Sequence, residues 1–225
     1  MTFSLVAHCA RTGQFAVAVT SSSPAVAARC AYARAGIGAA TTQNVTDPRL
    51  GPKLLDALAT GLSAEAALET VASAASFPEY RQLTVVDAQG RTAFYSGAKT
   101  LGTNAAAQGD NAVCAGNLLA STSVPQAVVE AFAATSPHAE LGARMLTAMQ
   151  AGLEAGGEAG PIKSAGLILV DKEAWPIADL RVDWHDEPLA ELARLWEVWH
   201  PQMYDYVARA LNPAAAPSYG VPGDE

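Results

Sequence analysis

The chain has 225 residues, is 50% hydrophobic and only 16% charged, and carries a formal net charge of −8. That balance excludes a disordered or solvating chain, and it excludes nucleic-acid binding, which needs clustered Lys and Arg. It contains no run of like charges and no basic helix, so an anionic membrane surface is also a poor partner, while the length suffices for one domain with a substantial core.

The first half alternates strands with paired helices. FSLVAH (3–8) and QFAVAVT (14–20) read as strands joined by a turn around Thr12 and Gly13. SSSPAVAARC (21–30) is small, polar and broken by Pro24, a loop. GIGAATTQ (36–43) reads as a strand that something approaches closely. GPKLLDALATG (51–61) and SAEAALETVASAA (63–75) read as a helical hairpin, the second helix starting at a Ser63 cap. RQLTVVDAQGRTAFYSG (81–97) is a β-hairpin turning at Asp87-Ala88-Gln89-Gly90.

NAVCAGN (111–117) is a further strand, followed by helices over 124–134 and 139–155. GGEAGP (156–161) is a flexible break, SAGLILVD (164–171) a buried strand, and DLRVDWH (179–185) its hairpin partner. A Trp-rich helix over 187–211 closes the domain, leaving 212–225 as a loose or partner-docked tail. Hairpins and helix pairs with short connections predict one α+β domain, with mostly antiparallel sheets inside and helices outside.

Cys9, Cys30 and Cys114 show no CxxC spacing, and the four histidines do not fall at metal-ligand spacing, so no metal site is expected. The start lacks the basic-then-apolar pattern of a signal peptide and the apolar segments are too short to cross a bilayer, so the expected location is cytoplasmic. No GxGxxG after a strand, GxxxxGK[ST], HExxH or GxSxG is present.

What remains is the N-terminus. A threonine hydroxyl needs a base to become a nucleophile, and a free α-amine on the same residue can serve, with an ordinary pKa of about 7.7–8.0. Met1 precedes the small residue Thr2, a context in which methionine is commonly removed. While Met1 is attached, the Thr2 nitrogen is an amide and no base. The competing reading of Thr2 is a β-branched strand opener.

TFSLVAH, GQFAVAVTSSSPAV, ARAGIGAATTQ and GPKLLDALATGLSAEAALE, followed in order by RQLTVVDAQGR, AGNLLAS, KSAGLILV and DLRVDWHDEPLAELARL, resemble the bacterial family called domain of unknown function 1028 across residues 2–195. The resemblance implies an N-terminal nucleophile hydrolase fold, a four-layer αββα sandwich, and amide cleavage with Thr2 as nucleophile and no cofactor. The chain departs from the family pattern in two places. His8 and Cys9 end the first strand where an acidic residue is common, and SSSPAV replaces a stretch that often contains Lys.

In such a fold the turn after the second strand approaches the start of the first, so Ser21, Ser22 and Ser23 are candidates for the pocket. Ser22 is the candidate for relaying a proton or orienting the amine and Ser23 for contacting substrate, against ordinary loop hydrogen bonding. Thr42 and Gln43 end a strand, where a backbone N–H or side-chain amide stabilises an oxyanion or simply satisfies the strand end. Asn117 either holds an oxyanion or substrate carbonyl, or caps the following helix. Arg181, between Asp179 and Asp183, either pairs with them or binds a substrate carboxylate. Cys9 with His8, and Cys30 near Arg29 and Arg34, are lesser nucleophile candidates.

Two readings follow. One is an amidohydrolase acting on a small-molecule or peptide-like amide. The other is a non-catalytic module for ligand binding or assembly. WEVWHPQMYDYV (196–207) is rich in aromatics, which serve core packing or a subunit interface, so a homo-oligomer built through this helix is expected under both.

Overall fold

Residues 1–223 are described by a computed structural model. In chain order the elements are β1 (Thr2–His8), β2 (Phe15–Ser21), α1 (Ala27–Cys30), β3 (Ala31–Arg34), β4 (Gly38–Asn44), α2 (Leu50–Ala59), α3 (Ala64–Ala74), β5 (Arg81–Asp87) and β6 (Thr92–Ser96). They continue with β7 (Ala105–Gly109), β8 (Ala112–Asn117), α4 (Val124–Ala134), α5 (Leu141–Glu154), β9 (Ser164–Val170), β10 (Ala178–Val182), α6 (Pro188–Trp199) and α7 (Met203–Leu211). The chain is α+β, and every strand pair within the two sheets is antiparallel.

The larger sheet has the order β10-β9-β2-β1-β8-β7 and the smaller the order β3-β4-β5-β6. The period-two alternation of a strand divides each sheet into two faces. Phe3, Leu5 and Ala7 of β1 pack with Val128 and Phe132 of α4, Met145 and Met149 of α5, and Leu192 and Trp196 of α6. The intervening residues of β1 point the other way, and Val6 joins Val17, Val19, Val113, Ala39 and Val86 in a cluster drawn from both sheets. On the far side of the smaller sheet, Ala40, Leu83 and Val85 pack with Leu54, Leu55, Leu58, Leu68 and Val71 of α2 and α3. Each fully buried side chain of this size contributes about 1.5–3 kcal/mol relative to exposure.

The expected hairpins and helices are present, with shifts of a few residues at their ends. Two strands were not expected. β3 reads AYAR and β7 reads AAAQG, and neither has the β-branched run that marks a strand in sequence. Pairing with β4 and β8 makes them strands. The expected loop over 21–30 ends in the short helix α1, which approaches so closely that a Cβ on Gly166 of β9 would lie 2.4 Å from the Ala27 Cβ.

The single helix expected over 187–211 is instead α6, a 3-10 turn at His200–Gln202, and α7. Pro201 lies within that turn, and a proline inside a helix removes a hydrogen bond and clashes with the preceding turn. Trp196 of that segment is buried, and Trp199 donates from Nε1 to the Ile177 carbonyl at 2.9 Å. Part of the expected tail folds back on α7: Arg209 donates to the carbonyls of Pro217 and Ser218, both at 3.0 Å, and its guanidinium lies over the Tyr219 ring. The last two residues of that tail lie outside the described residues. Among the described residues no helix is long and apolar enough to cross a membrane.

Asp87 joins the β5–β6 turn to α3. Its carboxylate accepts from the backbone N–H groups of Gln89 at 2.9 Å, Arg91 at 3.0 Å and Ala64 at 3.0 Å, and from Arg91 Nε at 2.7 Å. Burial would raise its pKa, but the Ala64 and Arg91 donors outweigh burial and hold it below its ordinary 3.8. A depressed carboxylate contributes stability above its unfolded pKa and loses it as the pH falls through the folded value. Asp87→Asn is therefore expected to cost about 1–3 kcal/mol in urea unfolding at pH 7, and the difference from the parent should shrink on acidification. A cost unchanged between pH 7 and pH 3 would refute the ionic role.

Candidate functional site

The inner faces of the two sheets change character along β1. Towards His8 they are apolar, and towards Thr2 they are lined with hydroxyls and amides. Hairpin register places Ser21 opposite Thr2 on β2, and Asn117 opposite Thr2 on β8. β4 and β5 supply Gln43 and Gln82, a cross-strand pair in the facing sheet.

These groups bond across the gap between the sheets. Ser4 donates to Gln43 Oε1 at 2.7 Å, and Gln43 Nε2 donates to Gln82 Oε1 at 2.8 Å and to the Ala115 carbonyl at 3.1 Å. Asn117 Nδ2 donates to the same Gln82 oxygen at 3.0 Å. Gln82 Nε2 in turn donates to the Gly116 carbonyl at 3.0 Å and to Ser96 Oγ at 3.1 Å. Ser4, Gln43, Gln82 and Asn117 are all buried, and a buried amide is tolerable only when paired in this way.

Thr2 is buried at the end of this row. Its hydroxyl lies 2.5 Å from the Met1 carbonyl oxygen and 3.2 Å from Ser21 Oγ. Ser21 Oγ also reaches the Met1 carbonyl oxygen at 2.5 Å, so two hydroxyls converge on one carbonyl. Ser23 extends the chain, with its Oγ 2.8 Å from Ser21 Oγ and accepting from Arg29 Nη2 at 2.8 Å.

The segment 156–161, expected as a flexible break, is tied down. Ala120 donates to the Gly157 carbonyl at 3.0 Å, Ala159 donates to the Leu118 carbonyl at 2.9 Å, and Leu119 and Glu158 form a β-bridge. This brings Glu158 to the N-terminal end of β1. Glu158 Oε2 accepts from the Ser22 N–H at 3.1 Å, while the buried Oε1 has no partner among the described residues. Burial pushes the carboxyl up to about 8, against the opposing pull of the Met1 ammonium and the Ser22 N–H.

The predicted residues therefore separate. Thr2 and Ser23 belong to a chain of hydroxyls through Ser21, and Gln43 and Asn117 to a row of amides through Gln82, the two groups meeting where Thr2 pairs with Asn117 across β1 and β8. Ser22 bonds through its backbone N–H to Glu158, whereas Ser21 is the serine facing Thr2. Thr42 alternates with Gln43 and faces away, its hydroxyl donating to the Asp47 carbonyl at 3.2 Å. Arg181 is on the edge strand β10, separated from β1 by β9 and β2, and pairs with Asp183 at 3.1 Å. The cysteine candidates are likewise elsewhere. Cys9 and His8 are at the opposite end of β1 from Thr2, and His8 Nδ1 is 3.0 Å from Asn111 Oδ1. Burial raises the thiol pKa of both Cys30 and Cys114.

Sequence reasoning missed Glu158 and Gln82. Gln82 lies in a predicted strand, where alternation assigns it a face but not a partner. Ser21 was accessible by counting, since a hairpin that pairs His8 with Phe15 must pair Thr2 with Ser21.

The model of the Family of unknown function (DUF1028) matches residues 2–192. The chain belongs to this family. The crystal structure of protein SPO2555 from Silicibacter pomeroyi, a DUF1028 protein, superposes with a TM-score of 0.81 at 28% identity, covering 88% of each chain. Anbu (ancestral beta-subunit) from Yersinia bercovieri aligns with a TM-score of 0.41 at 9% identity, over 90% of this chain and 96% of that one. No curated protein matches.

Glu158 yields a stability prediction for this family member. A carboxyl whose folded pKa is raised keeps its proton longer in the folded state, so stability is full below the ordinary 4.5 and falls as the pH rises towards about 8. Glu158→Gln removes that loss. Its thermal midpoint should match the parent near pH 4.5 and exceed it at pH 8, by roughly 2–4 °C for each kcal/mol recovered. A parallel pH profile for the two proteins would contradict a buried, half-partnered carboxylate.

Proposed function

We propose that this DUF1028 protein is an N-terminal nucleophile amidohydrolase on a four-layer αββα sandwich, acting on a small-molecule or peptide-like amide. The observation that supports it is the convergence of the Thr2 and Ser21 hydroxyls on the carbonyl of residue 1, at the polar end of the inter-sheet gap. Removal of Met1 leaves the Thr2 amine free. Thr2 Oγ1 then attacks the substrate carbonyl carbon, the α-amine takes the hydroxyl proton, and the leaving amine departs with a proton as the C–N bond breaks. Water hydrolyses the resulting ester and restores Thr2. Asn117, opposite Thr2 on β8, and Gln43, in the facing sheet, are the amides assigned to the oxyanion in this reading, and Ser21 and Ser23 supply a hydroxyl relay beside the amine. The scheme requires no metal or organic cofactor.

A second reading, ligand binding without turnover, is favoured by one observation. The Gln43 amide already directs its N–H groups at Gln82 and Ala115 rather than into open space. In both readings we propose self-association through α6 and α7, supported by the exposed Val198, Tyr204 and Leu211.

Intact mass of the protein taken from its native cell tests the first reading. The expected mass is short by one methionine, and the processed protein should hydrolyse amides with a loss on the order of 10³-fold or more in Thr2→Ala. Thr2→Ser should retain measurable turnover. Native protein that keeps Met1 throughout would remove the threonine mechanism and leave the binding reading.

A further inference from the structure

Met1 occupies the end of the site with each of its parts. Its carbonyl oxygen receives the Thr2 and Ser21 hydroxyls. Its side chain lies over Gly160, where an added Cβ would come within 2.9 Å of Met1 Cε and 3.4 Å of Sδ. Its ammonium attracts the Glu158 carboxyl at longer range, opposing the effect of burial, without closing an ion pair with it. Glu158 itself is 5% exposed and presents one oxygen with no hydrogen-bond partner.

Leaving a buried carboxylate oxygen unpaired costs about 1–3 kcal/mol, more when it is charged, and a primary ammonium carries three donors. The backbone bonds from Ala120 and Ala159 fix the 156–160 segment, so the carboxylate is held at the site rather than free to turn out to solvent. Gly160 keeps the wall beside it open. Departure of Met1 therefore vacates a volume whose lining matches an amino acid joined through its carboxyl group.

We infer that this volume is the acyl subsite, and that it selects an α-amino-acyl group: Glu158 receives the free ammonium, Gly160 admits an unbranched apolar side chain, and the Thr2 and Ser21 hydroxyls meet the carbonyl. The substrate class is then an amide or peptide with an unblocked N-terminal residue. The inference rests on the reading of Thr2 as nucleophile, and it names the substrate of that same site. In the intact chain Met1 fills this volume with its carbonyl and side chain, so removal of Met1 opens the subsite as well as freeing the amine.

Binding tests the subsite separately from turnover. The full chain with Thr2 as its first residue, released from a removable N-terminal fusion and checked by intact mass, is titrated calorimetrically with L-methioninamide and with N-acetyl-L-methioninamide. The expected result is binding of methioninamide, with the acetylated compound weaker by about tenfold or more, the scale of one charge-assisted hydrogen bond. Glu158→Gln should abolish that preference, and Gly160→Val should weaken methioninamide more than alaninamide. Equal affinity for the two compounds, no binding of methioninamide, or a preference that survives Glu158→Gln would each overturn the inference. Selective binding without hydrolysis would uphold the subsite and refute the nucleophile, so the two failures are distinguishable.

Discussion

The arrangement depends on a row of buried amides that must satisfy one another. Gln43, Gln82 and Asn117 lie between two sheets where no backbone ladder crosses, so among the described residues their side-chain partners are each other, Ser4, Ser96 and two strand carbonyls. An amide left unpaired there costs about 1–3 kcal/mol. Sliding one sheet over the other would break several of these bonds together. Apolar packing among Val6, Val17, Val86 and Val113 attracts the sheets without direction, whereas the amides specify one alignment.

That alignment positions the N-terminus. β1 is central in the larger sheet, paired on both edges, and its first residue falls where β2 and β8 both end in polar groups. Because side chains alternate, the same strand that seats Phe3 and Leu5 among the helices must turn Thr2 and Ser4 towards the smaller sheet. A one-residue slip would exchange these sets and put a hydroxyl into the helix-facing core. The location of Thr2 is thus a consequence of how β1 is buried.

Much of this was legible in the residues. The turn signals at Thr12-Gly13 and Asp87–Gly90 set hairpins whose register can be counted, and the Leu and Val spacing of α2 to α5 marks their buried faces. β3 and β7 were not legible, since Ala-rich segments acquire strand geometry from their neighbours rather than from propensity. Ser21 was displaced by Ser22 because three consecutive serines look alike until pairing separates their faces. Thr42 and Gln43 were named together for the same reason, and alternation gives Gln43 the inner position while the Thr42 hydroxyl satisfies the Asp47 carbonyl. Arg181 pairs with Asp183, one of the two acidic neighbours that the strand pattern put on its face. Glu158 carried no periodic signal at all, being a single acid in a glycine-rich connection.

Two carboxylates show what distinguishes a structural acid from a candidate binding group. Asp87 and Glu158 are both buried, and burial alone raises the pKa of each. Asp87 receives four donors and ends below its ordinary value, so its charge helps hold the fold. Glu158 receives one backbone N–H on one oxygen and ends far above its ordinary value, so its charge strains the fold whenever no cation is near. A chain optimised only for stability would carry Gln or an apolar residue there, since burying a half-paired acid gains nothing in packing. The charge on Glu158 becomes favourable only when an external ammonium completes its hydrogen bonds, and the place where that ammonium arrives is bounded by Thr2, Ser21 and Gly160. On that physical ground Glu158, rather than any of the other acids, is the residue through which this site would distinguish one amide from another.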